Sequence, residues 1–199
     1  MGGTIYAETS DTAADAAAWS ALGQTAAAAR LQDASVTAAA AAPALHFEQQ
    51  LDHFNSSEAR TWRQVYWVCG DAFPKTAQEQ EESGVIYMFL GNESPLGTPQ
   101  QPIVFENARR QRALVVLVEH RYYGASIPVP VNKSGTLPAA DFKWLTIQQV
   151  IEDTAAVLRH VRADRSIPNA VPAVVIGGSA AGSWQHTIAW SSRQSLPQQ

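Results

Sequence analysis

The stretch Val174-Val175-Ile176-Gly177-Gly178-Ser179-Ala180-Ala181-Gly182 decides how this chain is read. Three consecutive β-branched apolar residues predict a strand buried on both faces, and the small residues after them turn the chain into a helix. A serine at such a turn is held up at the carboxyl edge of the sheet, where open α/β sheets bind ligands. The turn is tight, so its neighbours must be small. Gly177, Gly178, Ala181 and Gly182 meet that need, although Ala181 stands where the simplest G-x-S-x-G string has glycine. The backbone N–H of Ala180, at the start of the helix, points at a developing oxyanion. The same string also suits a plain glycine-rich strand-to-helix turn. A phosphate loop fits less well, because the P-loop lysine and the G-x-G-x-x-G spacing are both missing.

Working outward, apolar runs at 62–69, 85–90, 114–119 and 173–177 predict strands. The last three are continuous, as in a parallel sheet covered by helices, while 62–69 alternates as an antiparallel edge strand does. Between them, Ile147, Val150, Ile151, Thr154, Leu158 and Val161 recur at helical spacing and predict a helix over 147–162. Thr146 with Gln149 three residues on predicts a capping box at its start, and Pro168 follows its end. Weaker patterns predict helices over 103–111 and 181–193. Strand and helix therefore alternate, the order of an α/β fold with right-handed crossovers.

Composition narrows the function. The 199 residues carry 14 Lys+Arg against 18 Asp+Glu, a net charge of −4, and the basic residues are scattered, which argues against a nucleic-acid partner. No apolar run approaches the ~20 residues that a membrane span requires. A single cysteine, Cys69, rules out a disulfide scaffold, and its apolar setting reads as a buried thiol. Alanine supplies 17 of the 34 residues from 11 to 44, with little large apolar surface among them. Residues 1–44 are therefore expected to be a disordered or loosely helical arm, and 45–199 a partial α/β domain. The start Met1-Gly2-Gly3-Thr4, with Glu8, Asp11 and Asp15 behind it, shows no signal peptide.

Several strings together carry a resemblance. They are Phe47-x-Gln49-x-Leu51-Asp52-His53-Phe54, Gly91-Asn92-Glu93, Glu119-His120-Arg121-Tyr122-Tyr123-Gly124-x-Ser126-x-Pro128, Leu145-Thr146-x-x-Gln149-x-x-x-Asp153 and Gly177-Gly178-Ser179-x-x-Gly182. In order and rough spacing they resemble the prolyl carboxypeptidase, dipeptidyl peptidase II and thymus-specific serine protease family. The resemblance implies the N-terminal half of an α/β-hydrolase fold, with sheet order 1-2-4-3-5 as far as the fifth strand. It also implies a serine exopeptidase that takes peptide substrates, cleaves beside proline or small residues, needs no metal or organic cofactor, and forms a homodimer at full length.

Carried over by position, the resemblance makes Ser179 the nucleophile. Gly91, Asn92 and Glu93 match the loop that supplies the second oxyanion N–H, with Gly178 and Ala180 completing the elbow. Glu119, His120 and Arg121 suggest a charge relay. However, His120 precedes the serine, whereas α/β-hydrolases run Ser, then Asp or Glu, then His, so Glu119 and Arg121 are read as braces for the following loop. His46, His53 and His160 are read as structural or exposed. His186 lies seven residues along the helix from Ser179, about 10 Å of rise, too far for a general base. The catalytic Asp and His are thus expected beyond Gln199, and this chain alone is expected to be inactive, with an aggregation-prone strand edge at 173–177. The family commonly has an aromatic where Ala180 stands, and Tyr122 and Tyr123 are the candidates to line the pocket in its place. A lipase or esterase of the same fold, or a non-catalytic interaction module, would read similarly. Three sequons, at Asn55, Asn92 and Asn132, together with the resemblance, predict a secreted or lysosomal/vacuolar glycoprotein. Pro95 and the site role expected for Asn92 leave Asn55 and Asn132 as the acceptors.

Overall fold

The computed structural model describes residues 42–96, 102–133 and 135–177. The expected arm up to residue 41, the helix over 181–193, and Gly178, Ser179 and Ala180 lie outside them.

Five strands form one sheet in the order β1-β2-β4-β3-β5: β1 (Leu45–Gln50), β2 (Thr61–Cys69), β3 (Ile86–Leu90), β4 (Leu114–Val118) and β5 (Ala173–Ile176). β4, β3 and β5 run parallel, with Met88 paired to both Val116 and Val175. β2 pairs antiparallel with β4 on one side and with β1 on the other. This is the predicted order, the N-terminal half of an α/β-hydrolase sheet.

Alternation along the central strands builds two apolar layers. Tyr87, Phe89, Val115 and Leu117 face one side, where helix α2 (Pro102–Gln111) covers them with Val104, Phe105 and Ala108. Ile86, Met88, Leu114, Val116 and Val118 face the other, beneath Val157 and Val161 of helix α3 (Ile147–Asp164). Pro102 opens α2, at the helix position where a missing N–H leaves no hydrogen bond unmade. A short helix α1 (Ala77–Ser83) precedes β3, and a 3₁₀ turn (Ala139–Trp144) precedes α3. Among the described residues no helix is long and apolar enough to cross a membrane.

Four expectations change. Residues 62–69 are antiparallel but do not form the edge, because β1 pairs with β2 along Leu45–Gln50. β5 is not buried on both faces: Val174 is 46% exposed, and β3 is its one partner among the described residues. Ile147 is exposed, and Gln149 and Asp153 occupy the buried side of α3 instead. Thr146 caps α3 in one direction only, accepting from the Gln149 N–H, because the Gln149 side chain is used elsewhere. The reciprocal box sits at Thr76 and Glu79, heading α1. Cys69 is half-buried among the residues under α2, and burial pushes its thiol up to about 11.

Candidate active site

The carboxyl ends of β4, β3 and β5 lie side by side. Leu90 pairs with Val118, and Phe89 with Ile176. The next residues, Gly91, Glu119 and Gly177, therefore share one edge, and Ser179 follows Gly177 by two positions in the sequence. Glycine suits position 91 because the neighbouring strand end runs so close. Its N–H donates to the Val118 carbonyl at 2.8 Å, and a Cβ there would lie 3.0 Å from that oxygen and 3.2 Å from the His120 nitrogen. Beyond it, Ser94 N–H donates to the Asn92 carbonyl, and the side-chain Oδ1 of Asn92 is buried without a hydrogen-bond partner among the described residues. Glu93 is exposed.

The residues after β4 are buried and polar. Glu119, 2% exposed, accepts from Leu96 N–H on Oε1 and from Ala125 N–H and Ser126 Oγ–H on Oε2. It braces the loop that follows, as expected, and also reaches back to the loop after β3. His120 donates from Nδ1 to the Arg121 carbonyl at 2.6 Å, and burial pulls its pKa below the usual histidine range. Because a carbonyl can only accept, Nδ1 carries the proton of the neutral ring. Arg121 is fully buried and grips Asp153 with two bonds of 2.7 Å, Nε to Oδ2 and Nη2 to Oδ1. Its remaining nitrogen donates to the Trp144 and Leu51 carbonyls, and its guanidinium lies over the Trp62 ring.

Asp153 also accepts from His53 Nε2 at 2.8 Å. A histidine–carboxylate pair invites comparison with a catalytic relay, but both oxygens of Asp153 already accept from Arg121. His53 follows β1 at one edge of the sheet, four interstrand steps or about 19 Å from β5 at the other. Asp153 thus holds Arg121 and His53 together. His160 meets the Tyr66 hydroxyl at 3.1 Å, and His46 is exposed; both match the structural reading.

Gln49 and Gln64 carried no role in the sequence reading, and Gln149 carried only that of a helix cap. Gln49 Nε2 donates to Gln64 Oε1 and to the Asp153 carbonyl, and Gln64 Nε2 donates to the Glu119 carbonyl. Gln149 donates to Asp52 and accepts from His53 N–H. Their signal was a polar residue in an inward-facing register, Gln49 and Gln64 on strands and Gln149 and Asp153 one turn apart on a helix.

Tyr122 adopts φ 71° and is buried among Leu51, Trp62, Val129 and Trp144. Its hydroxyl donates to the Asp141 carbonyl, its ring stacks on Phe142, and burial pushes its pKa up to about 12. Tyr123 packs against the same cluster and meets the His120 ring edge-on at 5.2 Å. Asn55 and Asn132 are exposed; Asn55 Oδ1 accepts from Ser57 N–H, two residues on.

The chain is 32% identical over 142 residues to the lysosomal Pro-X carboxypeptidase of Mus musculus, covering 69% of this chain and 27% of that protein. It is 33% identical over 140 residues to the thymus-specific serine protease of Homo sapiens, covering 68% and 25%. The chain thus spans about a quarter of the length of these relatives. Among solved structures, a puromycin-hydrolyzing peptidase of Mycobacterium tuberculosis superposes with a TM-score of 0.44 at 15% identity, over 74% of this chain and 20% of that one. The model of the serine carboxypeptidase S28 family matches residues 49–198, a span that takes in the whole sheet from the end of β1 and the sequence Gly177-Gly178-Ser179, and the chain belongs to that family.

Proposed function

We propose that these residues form the N-terminal half of a serine exopeptidase catalytic domain, in which Ser179 attacks the carbonyl of a peptide bond near a chain end, beside proline or a small residue. The observation that carries this reading is the alignment of Gly91 with the end of β5 at one sheet edge, inside the family match. Ala180 N–H and an N–H of the Gly91–Asn92–Glu93 loop would stabilise the oxyanion. A later Asp and His would deprotonate Ser179 and return the proton to the leaving amine. The chemistry needs no metal or organic cofactor. The site would open to peptides, with Tyr123 lining it and Tyr122 packed behind. The protein would work in a secretory or lysosomal compartment, glycosylated at Asn55 and Asn132.

The test is hydrolysis of proline-containing peptides by the full-length protein and its Ser179→Ala variant. Release of the terminal residue or dipeptide by the wild type, with a loss of at least 10³-fold in the variant, is expected. Equal rates in the two proteins, or cleavage of esters alone, would overturn the reading. Ala180 offers neither the ring nor the hydroxyl of the family's usual aromatic, so the pocket should accept bulkier residues beside the scissile bond. Ala180→Tyr should then raise the kcat/KM ratio of proline over bulkier substrates. An unchanged ratio would remove Ala180 from the pocket.

A further inference from the structure

We infer that Glu119 is a positioning residue that fixes the oxyanion loop, an inference that rests on the serine-peptidase reading above. The carboxylate is buried and the donors it meets among the described residues are all neutral: Leu96 N–H at 3.1 Å, Ala125 N–H at 3.0 Å and Ser126 Oγ–H at 2.8 Å. The nearby guanidinium of Arg121 is committed to Asp153. Burying a charge without a counter-ion is costly, so this arrangement needs a reason other than ion pairing.

The reason lies in the two loops that it joins. Oε1 holds the segment after β3 at Leu96, and Oε2 holds the segment after β4 at Ala125 and Ser126. The backbone of Glu119 is itself anchored to β2, its N–H donating to the Val65 carbonyl and its carbonyl accepting from Gln64. Ser126 Oγ in turn accepts from Val65 N–H at 2.9 Å. Gly124 leaves room for the carboxylate, since a Cβ there would lie 2.0 Å from Oε1. The loop 91–96 therefore has two anchors to its neighbours, Gly91 at the Val118 carbonyl and Leu96 at Glu119. The N–H groups of residues 92 and 93 lie between them.

Only a carboxylate can accept on both sides. In glutamine one oxygen becomes an NH₂ donor, which must face a donor on one side. The side with two donors retains the oxygen, so the NH₂ group turns against Leu96 N–H and releases the oxyanion loop. Glu119→Gln therefore separates loop positioning from bracing. Ser126→Ala is its control, since it removes one donor to the same carboxylate and leaves the Leu96 bond intact.

The experiment uses the full-length protein. In Glu119→Gln, amide hydrogen exchange over residues 91–96 should accelerate about tenfold or more while β4 stays protected. Its kcat for a proline peptide should fall roughly 10- to 100-fold, less than the loss of an oxyanion donor outright, with KM within about threefold. Ser126→Ala should melt lower yet keep kcat within about threefold. Unchanged exchange at 91–96 in Glu119→Gln would overturn the link, and faster exchange with unchanged kcat would overturn its catalytic meaning. Equal kcat losses in both variants would make Glu119 a brace alone. A wild type that hydrolyses no peptide would defeat the peptidase reading, and with it the catalytic role of Glu119, while the exchange measurement still decides the link.

Discussion

Glu119 and Arg121 leave the same strand end two residues apart, both are buried, and they are satisfied in opposite ways. Arg121 meets a counter-charge and ties β4 to α3 and to the segment after β1. Glu119 meets only neutral donors among the described residues and ties two loops together. The difference separates architecture from site. Removing Arg121 or its partner should unsettle the whole fold, whereas changing Glu119 should act on one edge.

The largest effect should come from Asp153→Ala. It strands a wholly buried guanidinium and unpairs His53, a loss on the order of 3–5 kcal/mol measured by chemical denaturation. Replacing both partners, Arg121→Met with Asp153→Leu, should recover much of that loss, because no charge is left unpaired. A double variant as unstable as Asp153→Ala would show that the pair does more than satisfy itself.

Gly124→Ala should cost less, about 2 kcal/mol, from a left-handed φ of +56° and a Cβ driven into the Glu119 carboxylate. Combining it with Glu119→Ala should relieve the steric part. If the two losses simply add, Gly124 is held by its backbone conformation alone.

His120 gives a smaller, pH-dependent effect. Burial holds its pKa below 6.5, so below that pH the unfolded chain binds more protons than the native one. Its stabilising contribution is complete above 6.5 and shrinks as the pH falls toward the lower native value. His120→Gln should lose this part of the pH dependence, compared by denaturation at neutral and mildly acidic pH; identical profiles would contradict a neutral buried ring.

The smallest effect serves as a reporter. Cys69 pairs with Val115 near the amino end of β4, remote from the loops, and its thiol stands at about 11. At pH 8 it should react with a disulfide reagent roughly two orders of magnitude more slowly than an unperturbed thiol. Asp153→Ala should speed that reaction by opening the sheet and Glu119→Gln should not, which restates the comparison in one assay.

Much of this was legible in the chain. Continuous runs such as 86–90 and 114–118 read as central strands and are such, and the helical spacing of Val150, Ile151, Thr154 and Val161 survives in α3. β1 was missed because its one fully buried residue, Gln49, is polar. A buried glutamine is recognisable only with its partners, and these are Gln64 and the Asp153 carbonyl, the latter 104 residues away. Asp153 was hidden for the same reason: among apolar neighbours on a helix face it looks like an interruption until Arg121 and His53 close on it. The turn expected at the glycines and serine of 177–179 rests on a local requirement, and Gly178 and Ser179 lie outside the described residues. The anchor of the loop after β3 at Leu96 was not legible, since it depends on a carboxylate 23 residues on in sequence.

The central claim is that the loop after β3 and the serine after β5 form one catalytic edge. A crystal structure of the full-length protein inactivated with a fluorophosphonate tests it most directly. The account predicts phosphorus bonded to Ser179 Oγ, with the phosphonyl oxygen accepting from Ala180 N–H and from one N–H of the Gly91–Asn92–Glu93 loop, each at about 2.7–3.1 Å. Phosphorus on a different residue, or a Ser179 adduct whose oxygen turns away from that loop, would contradict it.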